Sequence, residues 1–120
     1  MHELSIATAV VNTACKHADC RPVSVVGMRV GRLRQVVPES LRFYFEIVAR
    51  GTVCEDSRLE LDEIELQLEC ADCGSRWSPE LPVFRCPHCG SASVTIDAGE
   101  ELEVDYIEVE EQEGQCIARR

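Results

Sequence analysis

Cys70-Ala-Asp-Cys73-Gly74 and Cys86-Pro-His-Cys89-Gly90 are two copies of one knuckle, and together they read Cys-x2-Cys-x12-Cys-x2-Cys. Two residues between cysteines let both sulfurs of a tight turn face a single ion, and the glycine after the second sulfur permits the positive φ that such turns require. Two knuckles supply four thiolates, which close a tetrahedral shell suited to Zn²⁺ and leave no open position for water. The reading is therefore a structural zinc site made by Cys70, Cys73, Cys86 and Cys89, with His88 exposed and outside the shell. The competing reading is a rubredoxin-like iron electron carrier, since Cys-Pro-x-Cys-Gly also occurs there. Only Trp77 and Phe84 offer aromatic shielding between the knuckles, which favours zinc. The Ser75–Arg85 loop has few apolar residues. Zinc binding, worth roughly 10–16 kcal/mol in comparable peptides at neutral pH, is expected to hold it in shape.

On either side of the knuckles the pattern turns from metal ligands to hydrophobic periodicity. Leu59, Leu61, Ile64, Leu66 and Leu68 alternate with polar residues after one slip, which predicts one or two strands over 59–68 with a bulge near Asp62-Glu63. Leu102, Val104, Ile107 and Val109 repeat the habit in a last strand over 101–110. Upstream, Val23–Arg34 is valine-rich and reads as a half-buried strand. Ile6, Ala7, Val10, Val11 and Ala14 recur at three- and four-residue steps, predicting a helix over 4–18 that ends before Pro22. Pro38-Glu39 opens a second helix, with Leu41, Phe45 and Val48 on one face and a stop near Gly51. The pieces make an α+β fold: two helices packed on a small mixed β-sheet, with an inserted four-cysteine zinc ribbon. Residues 1–68 and 93–120 are expected to form the α+β domain and residues 69–92 the zinc-binding domain.

Composition narrows the function. With 120 residues, 45% hydrophobic and 5% aromatic, the chain can bury one core made mainly of aliphatic side chains. Its net charge of −10 is unevenly spread, residues 1–54 holding 7 Lys+Arg against 4 Asp+Glu and residues 55–120 holding 5 against 18. The half that bears the knuckles is thus strongly acidic, which excludes a generic nucleic-acid module. No secretory leader pattern and no run of ~18–20 apolar residues is present, so a cytoplasmic protein without a membrane span is expected. In that compartment short regular cysteine spacing means metal ligands rather than disulfides. Cys15 reads as a small buried residue, and Cys20, Cys54 and Cys116 as incidental thiols, a second metal site from Cys15, His17 and Cys20 being the lesser alternative. No nucleophile and base stand at a recognisable spacing, and the zinc shell is already full, so no catalytic residue and no enzyme is expected.

The chain begins Met1-His2-Glu3. The bulk of His2 should keep methionine aminopeptidase from removing Met1. The α-amine, the deprotonated amide of His2 and its imidazole can then close fused chelate rings on a metal that accepts square-planar nitrogen donors, such as Ni²⁺ or Cu²⁺. Glu3 could supply the fourth donor.

Taken together, Met1-His2-Glu3-Leu4-Ser5-Ile6-Ala7, the valine-rich strand with Gly31, Phe43-Tyr44-Phe45-Glu46 leading to Gly51-Thr52, and the paired knuckles ending Cys89-Gly90-Ser91 resemble the HypA/HybF family of hydrogenase maturation proteins. The resemblance spans nearly the whole chain. It implies a nickel metallochaperone with Zn(II) as a structural metal and Ni(II) as transient cargo. His2 would be the principal nickel ligand, Met1 and Glu3 would contribute, and Cys70, Cys73, Cys86 and Cys89 would bind zinc. The implied partners are a HypB-type GTPase and the [NiFe]-hydrogenase large subunit, with urease maturation proteins and a second copy of the chain as further candidates. One departure is Glu100, which stands after Gly99 where the family usually has a basic residue.

Overall fold

The structure is a computed structural model, described here over residues 3–110. The chain divides into two compact units. One is built from residues up to Arg29, from Val36–Asp62 and from Glu103 onward; the other comprises Val30–Gln35 and Glu63–Leu102.

The first unit is organised by its helices. α1, Glu3–Ala18, buries Ile6, Ala7, Val10, Val11, Ala14 and Ala18, a stripe at helical spacing. Glu3 in its first turn and Lys16 and His17 in its last complement the helix dipole. The helix ends where Asp19 and Cys20 take positive φ, ahead of Pro22. α2, Pro38–Ala49, starts with proline in its first turn and buries Leu41, Phe45 and Ala49 against α1. It stops at Gly51, where φ is +77°.

The helices accompany a sheet of order β2-β1-β6, with β1 spanning Val23–Gly31, β2 Arg58–Ile64 and β6 Leu102–Val109. The central position of β1 explains its nearly continuous burial, with only Ser24 and Arg29 part-exposed. Ser57 Oγ donates to the Val23 carbonyl at 2.5 Å, which sets the starts of β1 and β2 side by side. These two strands therefore run parallel, and α2 lies in the crossover that parallel pairing demands. Glu110 N donates to the Pro22 carbonyl at 2.8 Å, which makes β6 antiparallel to β1. The sheet is mixed, as the sequence pattern implied.

Two expectations change. The stretch read as one or two strands over 59–68 is two, β2 and β3, Gln67–Cys70, which lie in different sheets, and the break falls at Glu65-Leu66 rather than as a bulge at Asp62-Glu63. The strand expected to reach Arg34 ends at Gly31 and turns into a short 3-10 segment, Arg32–Arg34, whose carboxyl end is Gln35 at φ +56°. In the second unit β3 lies between β4, Arg76–Trp77, and β5, Val94–Ala98, both antiparallel to it. The 30–35 segment is held there by Leu33 N to the Gly99 carbonyl at 2.9 Å and Arg34 Nε to the Glu100 carbonyl at 2.7 Å. Glu100, the departure from the family pattern, thus contributes its backbone.

Candidate metal centre

β3 delivers Cys70 at its end, and the chain turns back through Cys73 to β4. Gly74 N donates to the Cys70 carbonyl at 2.9 Å, and Cys70 N donates to the Ser75 carbonyl at 2.8 Å. Sixteen residues on, the same pair of bonds recurs: Gly90 N to the Cys86 carbonyl and Cys86 N to the Ser91 carbonyl, both 2.9 Å. Gly74 and Gly90 take φ of +77° and +74°, the left-handed conformation that a side chain resists. The two knuckles are therefore one local structure built twice. The repeat that encodes it is Cys-x2-Cys-Gly-Ser, so the two serines were readable as part of the motif.

The knuckles face each other. Cys70 and Cys89 sulfurs lie 3.6 Å apart and those of Cys73 and Cys86 3.5 Å apart. All four ligand atoms fall within 4.8 Å of one another, and among the described residues no other group of three or more candidate ligands is drawn together in this way. Around them Ala71 N donates to the Ser93 carbonyl at 2.8 Å, Ser91 Oγ donates to the Asp72 carboxylate, and Arg76 pairs with Glu69 and Asp97 at 3.4 and 3.6 Å. His88 is exposed, and its backbone N–H donates to the Cys86 sulfur at 3.4 Å.

Thiol acidities in the cluster diverge. The Ser75 hydroxyl and backbone N–H hold Cys73 down, to about 6. At Cys89 the Ser91 backbone N–H favours the thiolate, but the neighbouring sulfurs, led by Cys70, outweigh it and push the thiol up to about 12. Four sulfurs this close cannot all carry charge unless a cation sits among them. Four thiolates drawn within 4.8 Å of one another fit a soft-tolerant divalent metal with no coordination position to spare.

The other sites expected from sequence are placed less fully. Met1 and His2 lie outside the described residues. Glu3 opens α1, half-buried, and one of its carboxylate oxygens accepts the Val37 N–H at 3.3 Å, tying the start of α1 to the start of α2. Cys15 does not group with Cys20 and His17: its sulfur lies 3.9 Å from that of Cys54, His17 is exposed, and Cys20 is disulfide-bonded rather than an incidental thiol. The Cys15–Cys54 pair spans 39 positions and carries no local spacing signal.

Fold and site define a small α+β protein carrying a four-cysteine metal-binding module. A model of the family described as "Hydrogenase/urease nickel incorporation, metallochaperone, hypA" matches residues 1–109. The chain belongs to this HypA family of hydrogenase maturation proteins. It is 39% identical over 114 residues to hydrogenase maturation factor HypA of Chlorobium limicola, covering 92% of this chain and 98% of that one. The corresponding factor of Roseiflexus is 38% identical over 122 residues, covering 98% and 99%. Its fold is similar to the solution structure of the Ni metallochaperone HypA from Helicobacter pylori, with a TM-score of 0.67, 24% identity and coverage of 91% of this chain and 97% of that one. No described helix is long and apolar enough to cross a membrane.

Proposed function

We propose that this chain takes up Ni²⁺ at its Met1-His2-Glu3 start, keeps a structural Zn²⁺ on Cys70, Cys73, Cys86 and Cys89, and passes nickel to the [NiFe]-hydrogenase large subunit together with a HypB-type GTPase. The observation that carries this reading is the family match over residues 1–109, which includes both the amino-terminal motif and the knuckles. Residues 1–68 and 93–120 are assigned to nickel handling and residues 69–92 to zinc. Urease maturation proteins and a second copy of the chain are further partners in this reading. The chain acts in the cytoplasm as a carrier rather than as a catalyst.

The chemistry of the two sites supports the division of labour. A carrier must release its metal to an acceptor, and four thiolates in a closed shell offer an incoming ligand nowhere to attach. The cargo therefore needs another site, and a chain terminus can exchange a donor where a closed cage cannot. His2 supplies its imidazole and deprotonated amide, Met1 its α-amine, and Glu3 an oxygen. Glu3 is well sited to anchor this arrangement, because Val37 N–H holds its carboxylate at the head of α1. Zinc is favoured over iron because Trp77 and Phe84 are the only aromatic residues between the knuckles, and Phe84 is exposed rather than shielding the sulfurs.

The test is metal analysis and nickel calorimetry on untagged protein beside His2→Ala. One retained zinc per chain and a nickel event near ~1 μM that His2→Ala abolishes is the expected result, equivalent to about 8 kcal/mol of binding. Because an amide must deprotonate to bind, nickel should leave before zinc as the pH falls. Bound iron with the red colour of a ferric thiolate, or nickel binding indifferent to His2, overturns the reading.

A further inference from the structure

The four-cysteine cluster leaves a second pair of sulfurs unexplained. Cys15, half-buried on α1, and Cys54, fully buried in the turn after α2, bring their Sγ atoms to 3.9 Å. Neither belongs to the metal centre, and both are free thiols. We propose that Cys15 and Cys54 form a peroxide-oxidisable dithiol, a reversible modification site that closes to a disulfide and ties α1 to the 52–57 turn.

The surroundings give the two sulfurs different roles. Cys15 is the more accessible and meets the oxidant. Cys54 is held by its own turn: its N–H donates to Thr52 Oγ1 at 3.0 Å, Ser57 N donates to its carbonyl at 2.9 Å, and Ser57 Oγ is fixed on Val23. Burial and the neighbouring Cys15 push the Cys54 thiol up to about 12, so it stays protonated and unreactive until a partner is oxidised beside it. Part of that rise comes from Cys15 itself and is lost once Cys15 becomes a neutral sulfenic acid.

The chemistry balances with a hydroperoxide as the sole co-reactant. Cys15 sulfur attacks one oxygen of hydrogen peroxide, the O–O bond breaks, and the departing hydroxide leaves as water with the Cys15 thiol proton. Cys54 sulfur then attacks the Cys15 sulfenic acid, the S–O bond breaks, and that hydroxide leaves as a second water with the Cys54 proton. Two thiols and one peroxide become one disulfide and two waters, the two electrons passing from sulfur to oxygen. A cellular thiol reverses the step by exchange.

The full-length, zinc-loaded protein can be treated with equimolar hydrogen peroxide and mapped by non-reducing tryptic mass spectrometry. Cleavage at Lys16, Arg50 and Arg58 separates Cys15 and Cys54 from Cys20 and from the knuckles. The expected product is peptide 1–16 joined to peptide 51–58, with a melting temperature raised by roughly 5–10 °C and restored by dithiothreitol. In Cys54→Ser, Cys15 should stop at a sulfenic acid that dimedone traps; in Cys15→Ser, Cys54 should remain reduced. The second variant decides the matter should the first fail to fold. Wild-type Cys15 accumulating as sulfenic or sulfinic acid without the joined peptide, or Cys54 oxidising equally well in Cys15→Ser, overturns the proposal.

Discussion

The helical unit and the cysteine-bearing unit are held together by different physics. α1, α2 and β1 supply most of the buried apolar side chains, among them Ala7, Val26 and Leu41 with no exposed surface. Across residues 71–98, by contrast, the single buried side chain is Cys86. Leu81, Val83 and Phe84, the apolar residues of the intervening loop, are exposed. Hydrophobic burial can order the first region but not the second, where backbone bonds at two knuckles and four converging sulfurs remain. The difference shows how a chain with an aliphatic core can carry a large polar segment: a metal takes over the organising role that side-chain packing cannot fill.

The largest effect that can break this comparison is removal of the knuckle metal. Chelation, or Cys86→Ser, should forfeit on the order of 10 kcal/mol of binding-coupled folding and unfold residues 70–98, leaving the helices in place. Residue-resolved hydrogen exchange checks it; equal loss of protection in α1 and α2 would show that one core serves both regions. Next is Leu41→Ala, which empties a fully buried site on α2. It should cost about 2–5 kcal/mol in denaturant titrations while leaving zinc affinity unchanged.

The smallest effect concerns a surface bond that sharpens what the first unit owes to polar contacts. Tyr106 on β6 donates to the Glu60 carboxylate on β2, its ring lying over Gly27 of β1, where an added Cβ would fall 2.1 Å from the ring. The Tyr106 bond, then Arg58, hold the Glu60 carboxyl below its usual range, and Glu60 in turn raises the Tyr106 phenol. For Glu60, a depressed folded value means stability present above the ordinary 4.5 and lost as the pH falls. For Tyr106, a raised value means stability present below the ordinary 10.0 and lost as the pH climbs through the folded value. Tyr106→Phe should therefore lower the melting temperature by about 1–3 °C at neutral pH, and the gap should close at both acid and alkaline extremes. Phenylalanine keeps the ring on Gly27, so a gap that is flat with pH would show that the hydroxyl does not act through the Glu60 carboxylate.

Local spacing explains how much was readable beforehand. The helical stripe of α1 and the Pro38 start and Gly51 stop of α2 act within a turn or two of chain, and the structure places both helices within two residues of the expected bounds. The knuckles are equally local, since each sulfur pair is set by a two-residue turn. The alternation over 59–68, with its one slip, left one strand or two open because it resumes past the break: Leu66 and Leu68 are buried like Leu59, but Leu68 pairs with Trp77 and Ile96 in a different sheet. β4 and β5 escaped notice because Arg76-Trp77 is too short to show a period, and Val94–Ala98 is only half-buried along its alternating face.

By itself the sequence determined the two helices, the segments that form β1, β2, β3 and β6, the repeated knuckle and its four thiolates, because each depends on residues a few positions apart. Tertiary structure alone decided that 59–70 divides between two sheets, that β1 is central and buried on both faces, and that Cys15 meets Cys54. Those outcomes rest on which distant segments find one another, and no local periodicity encodes a contact across 39 positions.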